Sequence, residues 1–203
     1  METNRKKTEK KQSEVSVIGS GIAGITTAFH LGKKGYKVNL IDPRVNSEIN
    51  NLNPKNGTQA SLGILMGNIY KRSKGRSFLL RNKSMKLWKE WLTEITYNES
   101  SFIFKKPLIK LASSEKEYQS MVELIEKKKE YGIELLDKKS LDFWNFIFET
   151  KLIGGLISHE DGRLNPIELI KALMHSLDQL EINKIENNVI QISKNDKPHE
   201  KRW

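Results

Sequence analysis

The sequence contains no cysteine. That single absence excludes a disulfide framework, a thiol nucleophile and a thiolate metal site. Histidine is sparse as well, and His30, His159, His175 and His199 stand at no metal-ligand spacing, so no metal centre is expected. No apolar run approaches the length of a membrane span, and the opening METNRKKTEKKQS is basic without any apolar stretch. Neither a signal peptide nor a transmembrane segment is therefore expected, and the plain reading is a cytoplasmic protein with a frayed basic tail. Acids are missing from residues 71–89, which carry Lys71, Arg72, Lys74, Arg76, Arg81, Lys83, Lys86 and Lys89. Such a run either attracts an anionic partner or forms the solvated face of a helix. The second reading is favoured, because no aromatic stacking module or nucleic-acid motif accompanies it, and nucleic acid is not expected as a partner.

What remains is enough for a folded core: 203 residues, 37% hydrophobic and 30% charged, with a net charge of +10. The most informative stretch is residues 15–42, VSVIGSGIAGITTAFHLGKKGYKVNLID. Val15, Val17 and Ile18 form a short strand that runs into Gly19-Ser20-Gly21-Ile22-Ala23-Gly24, and a helical pattern follows directly. In such a turn the first glycine permits the sharp bend, the second lets a pyrophosphate approach the backbone and the third lets the helix lie close on the sheet. The helix N-terminus then offers free N–H groups and a positive dipole end to the phosphates. Ile25, Ala28 and Leu31 give the helix an apolar face, Gly35 closes it, and Tyr36 to Ile41 read as the next buried strand. Asp42 ends that strand about 20 residues beyond the glycines, where an acid accepts hydrogen bonds from a ribose. Strand, turn, helix, closing glycine, second strand and terminal acid in that order point to dinucleotide binding. Asp42 disfavours a 2′-phosphate, although Arg44 could reach one, so NADP is a minor alternative.

A turn-rich segment, PRVNSEINNLNPKNG, carries the chain on to Thr58-Gln59-Ala60-Ser61-Leu62-Gly63-Ile64-Leu65. Small side chains there suit either close backbone approach to a flat ring or phosphate, or simply a turn into the next element. Residues 76–97 have helical spacing of Phe78, Met85, Trp88, Leu92 and Ile95, with Trp88 and Trp91 expected in the core. Phe102–Phe104 and Leu108–Leu111 suggest short strands around Pro107. Ser114 with Glu117 is a capping box ahead of Tyr118, Met121, Val122 and Ile125, and Lys127-Lys128-Lys129 reads as the exposed end of that helix. The aromatic cluster at Leu141–Phe148 is expected in the core or in a buried docking surface. Ile153–Ser158 reads as a strand, and Asn165, Pro166 and Glu168 open a last helix with Ile170, Leu173, Leu177 and Leu180 as its stripe. From Ile185 the segment NNVIQIS looks like the start of a strand.

In these residues the chain resembles the N-terminal half of FAD-dependent oxidoreductases of the D-amino-acid oxidase and glycine oxidase family, from about Val15 to Ile192. Three ordered pieces carry the resemblance: VIGSGIAG with Asp42, the T-x-A-S-x-G-I-L segment at Thr58–Leu65, and EDGRLNPIELIKAL at residues 160–173. The family usually has Glu where Asp42 stands. The resemblance implies an α/β fold: a Rossmann-like FAD-binding βαβ unit with an α+β substrate-side portion, apparently truncated. It implies a basic tail over residues 1–13, the βαβ unit and flavin-side loop over 14–75, the substrate-side portion over 76–180, and a returning strand with a polar tail over 181–203. It places Gly19, Ser20, Gly21, Ala23 and Gly24 at the FAD pyrophosphate, and Asp42 with Arg44 at the adenosine ribose. Thr58, Ala60, Ser61 and Gly63 fall along the flavin, and the backbone of Val189 meets the adenine. The implied activity is oxidation of the C–N bond of an amino acid or amine by hydride transfer to the flavin. The family's substrate-gripping arginine and tyrosine would lie beyond residue 203, so no catalytic residue is nominated, and a non-catalytic remnant or a plain dinucleotide-binding module is the alternative.

Overall fold

The computed structural model describes residues 13–49, 57–72, 74–95, 104–148 and 151–193. Two compact units are present: Met1–Leu52 with Leu173–Trp203, and Asn53–Ala172.

The first unit is built on strand β1 (Glu14–Ile18), helix α1 (Ile22–Lys33), strand β2 (Lys37–Ile41) and a late strand at Asn183–Ile185, here β8. All three strands are parallel in the order β1-β2-β8, with Val15 opposite Val38 and Ile41 opposite Ile185. Parallel pairing demands a crossover, and α1 supplies it. The helix ends as a Schellman motif: Tyr36 N–H donates to Leu31 O at 3.1 Å and Gly35 N–H to Gly32 O at 2.8 Å. Gly35 sits at φ +80°, the left-handed position that such an ending requires. Ile25, Ala28 and Phe29 of α1 are buried, as are Val38 and Leu40 of β2.

The second unit contains β3 (Ile64–Leu65), α2 (Arg76–Glu94), β4 (Leu108–Ala112), α3 (Glu115–Lys127), β5 (Ile133–Leu135), α4 (Lys138–Phe148), β6 (Gly154–Ser158) and β7 (Gly162–Arg163). Strands β4, β6 and β5 form an antiparallel sheet with β6 in the middle, and β3 pairs with β7. Its core gathers Ile69, Ala112, Met121, Leu124, Ile133 and Leu156, with Tyr118 and Ile125 of α3 against it. Helix α5 (Pro166–Gln179) begins in this unit and continues into the first. The chain is thus α/β, a parallel three-stranded sheet with a crossover helix followed by an α+β portion.

Five features depart from the sequence reading. Residues 63–65, grouped above with the FAD-binding unit, pair with residues 162–164. Helix α4 has no buried residue, so its aromatic cluster is not core; Phe146 is 81% exposed. Phe78 on α2 and Ile95 just beyond its end are buried, while Trp88 and Trp91 are only half-buried. The final strand lies at Asn183–Ile185 and residues 186–193 carry none, since a strand needs a paired neighbour and β2 pairs only up to Ile185. Lys128 is buried instead of standing at an exposed helix end. Phe102 and the 96–97 end of the expected helix lie outside the described residues.

Candidate functional site

The turn between β1 and α1 is shaped by its glycines. Gly19 takes φ +99°, which a side chain resists, and its N–H donates to Ile41 O at 2.8 Å, so the turn is tied to the end of β2. A Cβ on Gly24 would overlap the Gly19 carbonyl oxygen. Gly24 therefore lets α1 press against the turn itself. Gly21, the residue before the helix, is extended at φ −75° and ψ 175°, a conformation open to any residue. Its backbone makes no demand for glycine. Ala23 and Gly24 lie in the first turn of α1, where N–H groups have no intrahelical carbonyl to meet.

Asp42 joins the two ends of this arrangement. Its Oδ2 accepts the Ser20 N–H at 2.9 Å and its Oδ1 accepts the Arg44 N–H at 2.7 Å. Partial burial pushes the carboxyl up, but those backbone N–H bonds outweigh it and hold the group below the usual carboxylate range, with the Arg44 charge adding to them. An ionised acid is thus fixed to the glycine turn. Each oxygen keeps lone-pair capacity for a further donor.

A second constellation, in the other unit, was not legible in the sequence. Gly63 stands at φ +65°, and its carbonyl accepts the Leu164 N–H at 2.9 Å. Downstream, buried Asp161 gathers three successive backbone amides: Gly67 N–H at 2.8 Å, Asn68 N–H at 3.0 Å and Ile69 N–H at 2.7 Å. From the other side, Lys128 Nζ donates to the carbonyls of Asn68 at 2.8 Å and Tyr70 at 2.7 Å, and lies 5.1 Å from the Phe78 ring centroid. Burial lowers the Lys128 pKa; the Asp161 charge opposes that shift and Arg81 adds to it. The segment 67–70 is therefore held from both sides by opposite buried charges. The Asp-Gly at 161–162 was visible as a turn, but nothing in the Lys127-Lys128-Lys129 run singled out its middle residue.

The family model "FAD dependent oxidoreductase" matches residues 14–202. The chain belongs to that family. Among solved structures, it is similar to glycine oxidase from Bacillus cereus, with 19% identity, a TM-score of 0.69, and coverage of 92% of this chain and 50% of that one. It is also similar to L-amino acid deaminase from Proteus vulgaris, at 15% identity and TM-score 0.67, covering 87% and 40%. A third likeness is to L-alpha-glycerophosphate oxidase from Mycoplasma pneumoniae with FAD bound, at 16% identity and TM-score 0.62, covering 85% and 44%. The chain spans half or less of the length of these proteins. No curated protein sequence matches it.

Within this FAD-dependent oxidoreductase chain, Gly19, Ser20, Gly21, Ala23, Gly24, Asp42 and Arg44 come together around one turn of the first unit. Thr58, Ala60, Ser61 and Gly63 share one loop of the second; Ser61 N–H and Oγ both reach Thr58 O, at 3.2 and 2.8 Å. Val189 belongs to the first unit, outside any strand and 39% exposed. The basic run is solvated for most of its length, with Arg81 stacked 3.6 Å over the Tyr70 ring centroid and Lys89 paired with Glu160. Among the described residues, no group of three or more His, Asp or Glu could hold a metal ion, and no helix is long and apolar enough to cross a membrane.

Proposed function

We propose that this chain binds FAD through the β1–α1 turn and Asp42, and that it is the cofactor-binding part of an oxidoreductase acting on the C–N bond of an amino acid or amine. The observation that carries the cofactor reading is the Ser20–Asp42 hydrogen bond, which fixes a ribose-binding acid to a phosphate-binding turn. The first-turn amides of α1 would take the pyrophosphate, with the helix dipole favouring its charge. Asp42 would accept from the adenosine ribose hydroxyls, and Arg44, exposed beside it, would keep the neighbourhood positive. Thr58, Ala60, Ser61 and Gly63 would lie along the flavin, where small side chains keep their backbone accessible, and Val189 would meet the adenine through its backbone. When bound, FAD would supply the redox chemistry as the hydride acceptor. Support for an amino-acid or amine substrate comes from the family and from the names of the similar structures.

The test is a visible absorption spectrum of the 203-residue chain after incubation with FAD and desalting. Flavin absorbance should be retained, and Gly21→Glu should abolish it while circular dichroism is unchanged, because the backbone at Gly21 accepts any residue and a carboxylate there would oppose the pyrophosphate. A colourless chain with a native dichroism spectrum overturns the cofactor reading. Amino acids and simple amines added anaerobically to the retained flavin test the substrate reading, which bleaching would support.

A further inference from the structure

The acid-free run of residues 71–89 leads into and along helix α2, and only part of its charge is taken up within the fold. Arg81 lies over the Tyr70 ring and Lys89 pairs with Glu160. Lys71, Arg72, Lys74, Arg76, Lys83 and Lys86 are exposed and form no ion pair among the described residues. Helix stability does not account for them. Lys71, Arg72 and Lys74 precede α2 and Arg76 opens it, with no acid in its first turn, so the cations stand at the positive end of the helix dipole.

Two leucines share this surface. Leu79 is 66% exposed and Leu80 67%. With Arg76 and Lys83 they occupy positions i, i+3, i+4 and i+7, which is one face of the helix. The other side of α2 is already packed: Phe78 is buried and meets Tyr131 edge-on, and Met85 lies so close over Gly67 that an added Cβ there would come within 2.9 Å of its Cγ. The cations and the leucines are therefore on the outward side. A merely solvated face explains the cations but not two adjacent leucines set among them.

The combination selects among anionic partners. Nucleic acid would take the cations, but it has no use for leucines, and no aromatic ring stands at these four positions to stack on a base. A protein groove that clasps a helix reads anchors set one above another at i, i+3 or i+4 and i+7. Leu79 and Leu80 sit side by side instead, on a helix whose inner face is occupied. A broad surface that is anionic outside and apolar beneath suits both residue types at once.

We propose that the outward face of α2 docks on an anionic membrane surface, with Leu79 and Leu80 entering the boundary of the acyl chains and Arg76 and Lys83 at the lipid headgroups. Lys71, Arg72 and Lys74, just before the helix, add to the attraction. The helix lies on the bilayer and does not cross it, since it is not apolar enough to do so. This docking needs no flavin, so it is independent of the cofactor reading.

The experiment is co-sedimentation of the full chain with vesicles of phosphatidylcholine alone and of phosphatidylcholine mixed with phosphatidylserine, with and without added FAD. The chain should pellet with the mixed vesicles and not with the neutral ones, and raising the salt should release it. Arg76→Gln and Lys83→Gln should each weaken the partition by about fivefold. Replacing Leu79 and Leu80 together by Ser should weaken it by at least about tenfold. All four side chains are exposed, so dichroism and thermal midpoint should stay close to those of the native chain. Lys116→Gln, an equal loss of charge at an exposed position of α3, should leave the partition unchanged. No pelleting by a chain of native dichroism, equal pelleting with neutral vesicles, or binding indifferent to the leucine pair would each overturn the proposal. So would a duplex oligonucleotide held more tightly than the mixed vesicles, or a loss on replacing Phe143 and Phe146 of α4 in place of the leucines.

Discussion

At single positions, the most consequential groups are carboxylates that accept backbone N–H bonds. Asp42 is held below the usual carboxylate range against a partial-burial effect of opposite sign. A carboxyl depressed on folding contributes stability fully above its unfolded value of about 3.9, and loses that contribution as pH falls through the lower folded value. Urea midpoints measured from pH 5 to pH 2 should therefore fall more steeply for the native chain than for Asp42→Asn. Parallel pH profiles would contradict the hydrogen bonding assigned to Asp42. Asp161 differs because it is buried and faces a buried ammonium. Asp161→Ala strands three amides and leaves Lys128 uncompensated, so a loss of about 3–5 kcal/mol is expected in denaturant unfolding. Adding Lys128→Met should return part of it, because the lone buried charge goes too. A loss below about 1 kcal/mol would place Asp161 among ordinary surface acids.

Helices α3 and α4 show how differently two amphipathic segments are used. Ser114 caps α3, accepting the Glu117 N–H at 3.4 Å, while Glu117 reaches back to Ser113 N–H at 3.0 Å, one residue before the expected partner. Met121 and Leu124 then bury the apolar face of that helix. Helix α4 is the more apolar of the two but has no buried residue. Phe143 is 55% exposed and rests edge-on against Trp144, which stacks on Phe148. Replacing Phe143 and Phe146 together by Ser should change the thermal midpoint little, within about 0.5 kcal/mol of stability per exposed site. Concentration-dependent light scattering should fall, because exposed aromatic clusters drive association. A large loss of stability instead would mean that these rings are packed.

For the chain as a whole, ligand linkage gives the clearest signal. FAD at 100 times its dissociation constant should stabilise the folded state by about 2.7 kcal/mol. In a chain of this size that is a rise in midpoint of about 5–10 °C. Differential scanning calorimetry should place the rise in the transition of the unit that carries β1, α1 and β2. An unchanged thermogram at saturating FAD would oppose the assignment of the turn.

The amino-acid sequence by itself determined the strand–turn–helix unit, its closing glycine, and Asp42 at the end of the second strand. These are local: glycines needed at Gly19, Gly24 and Gly35 and apolar periodicity all act within a few residues of one another. It also determined the start of α5, from Asn165 and Pro166, and the α/β class. Only tertiary structure decided what depends on distant partners. Lys128 looks like its two neighbours in the chain, and its burial follows from carbonyls presented 58 and 60 residues away. The 58–65 loop reads as local, yet its residues 63–65 pair with residues 162–164, about 100 residues on. The aromatic stripe of α4 has the period of a core helix, and whether anything covers such a stripe is decided by neighbours that periodicity cannot name.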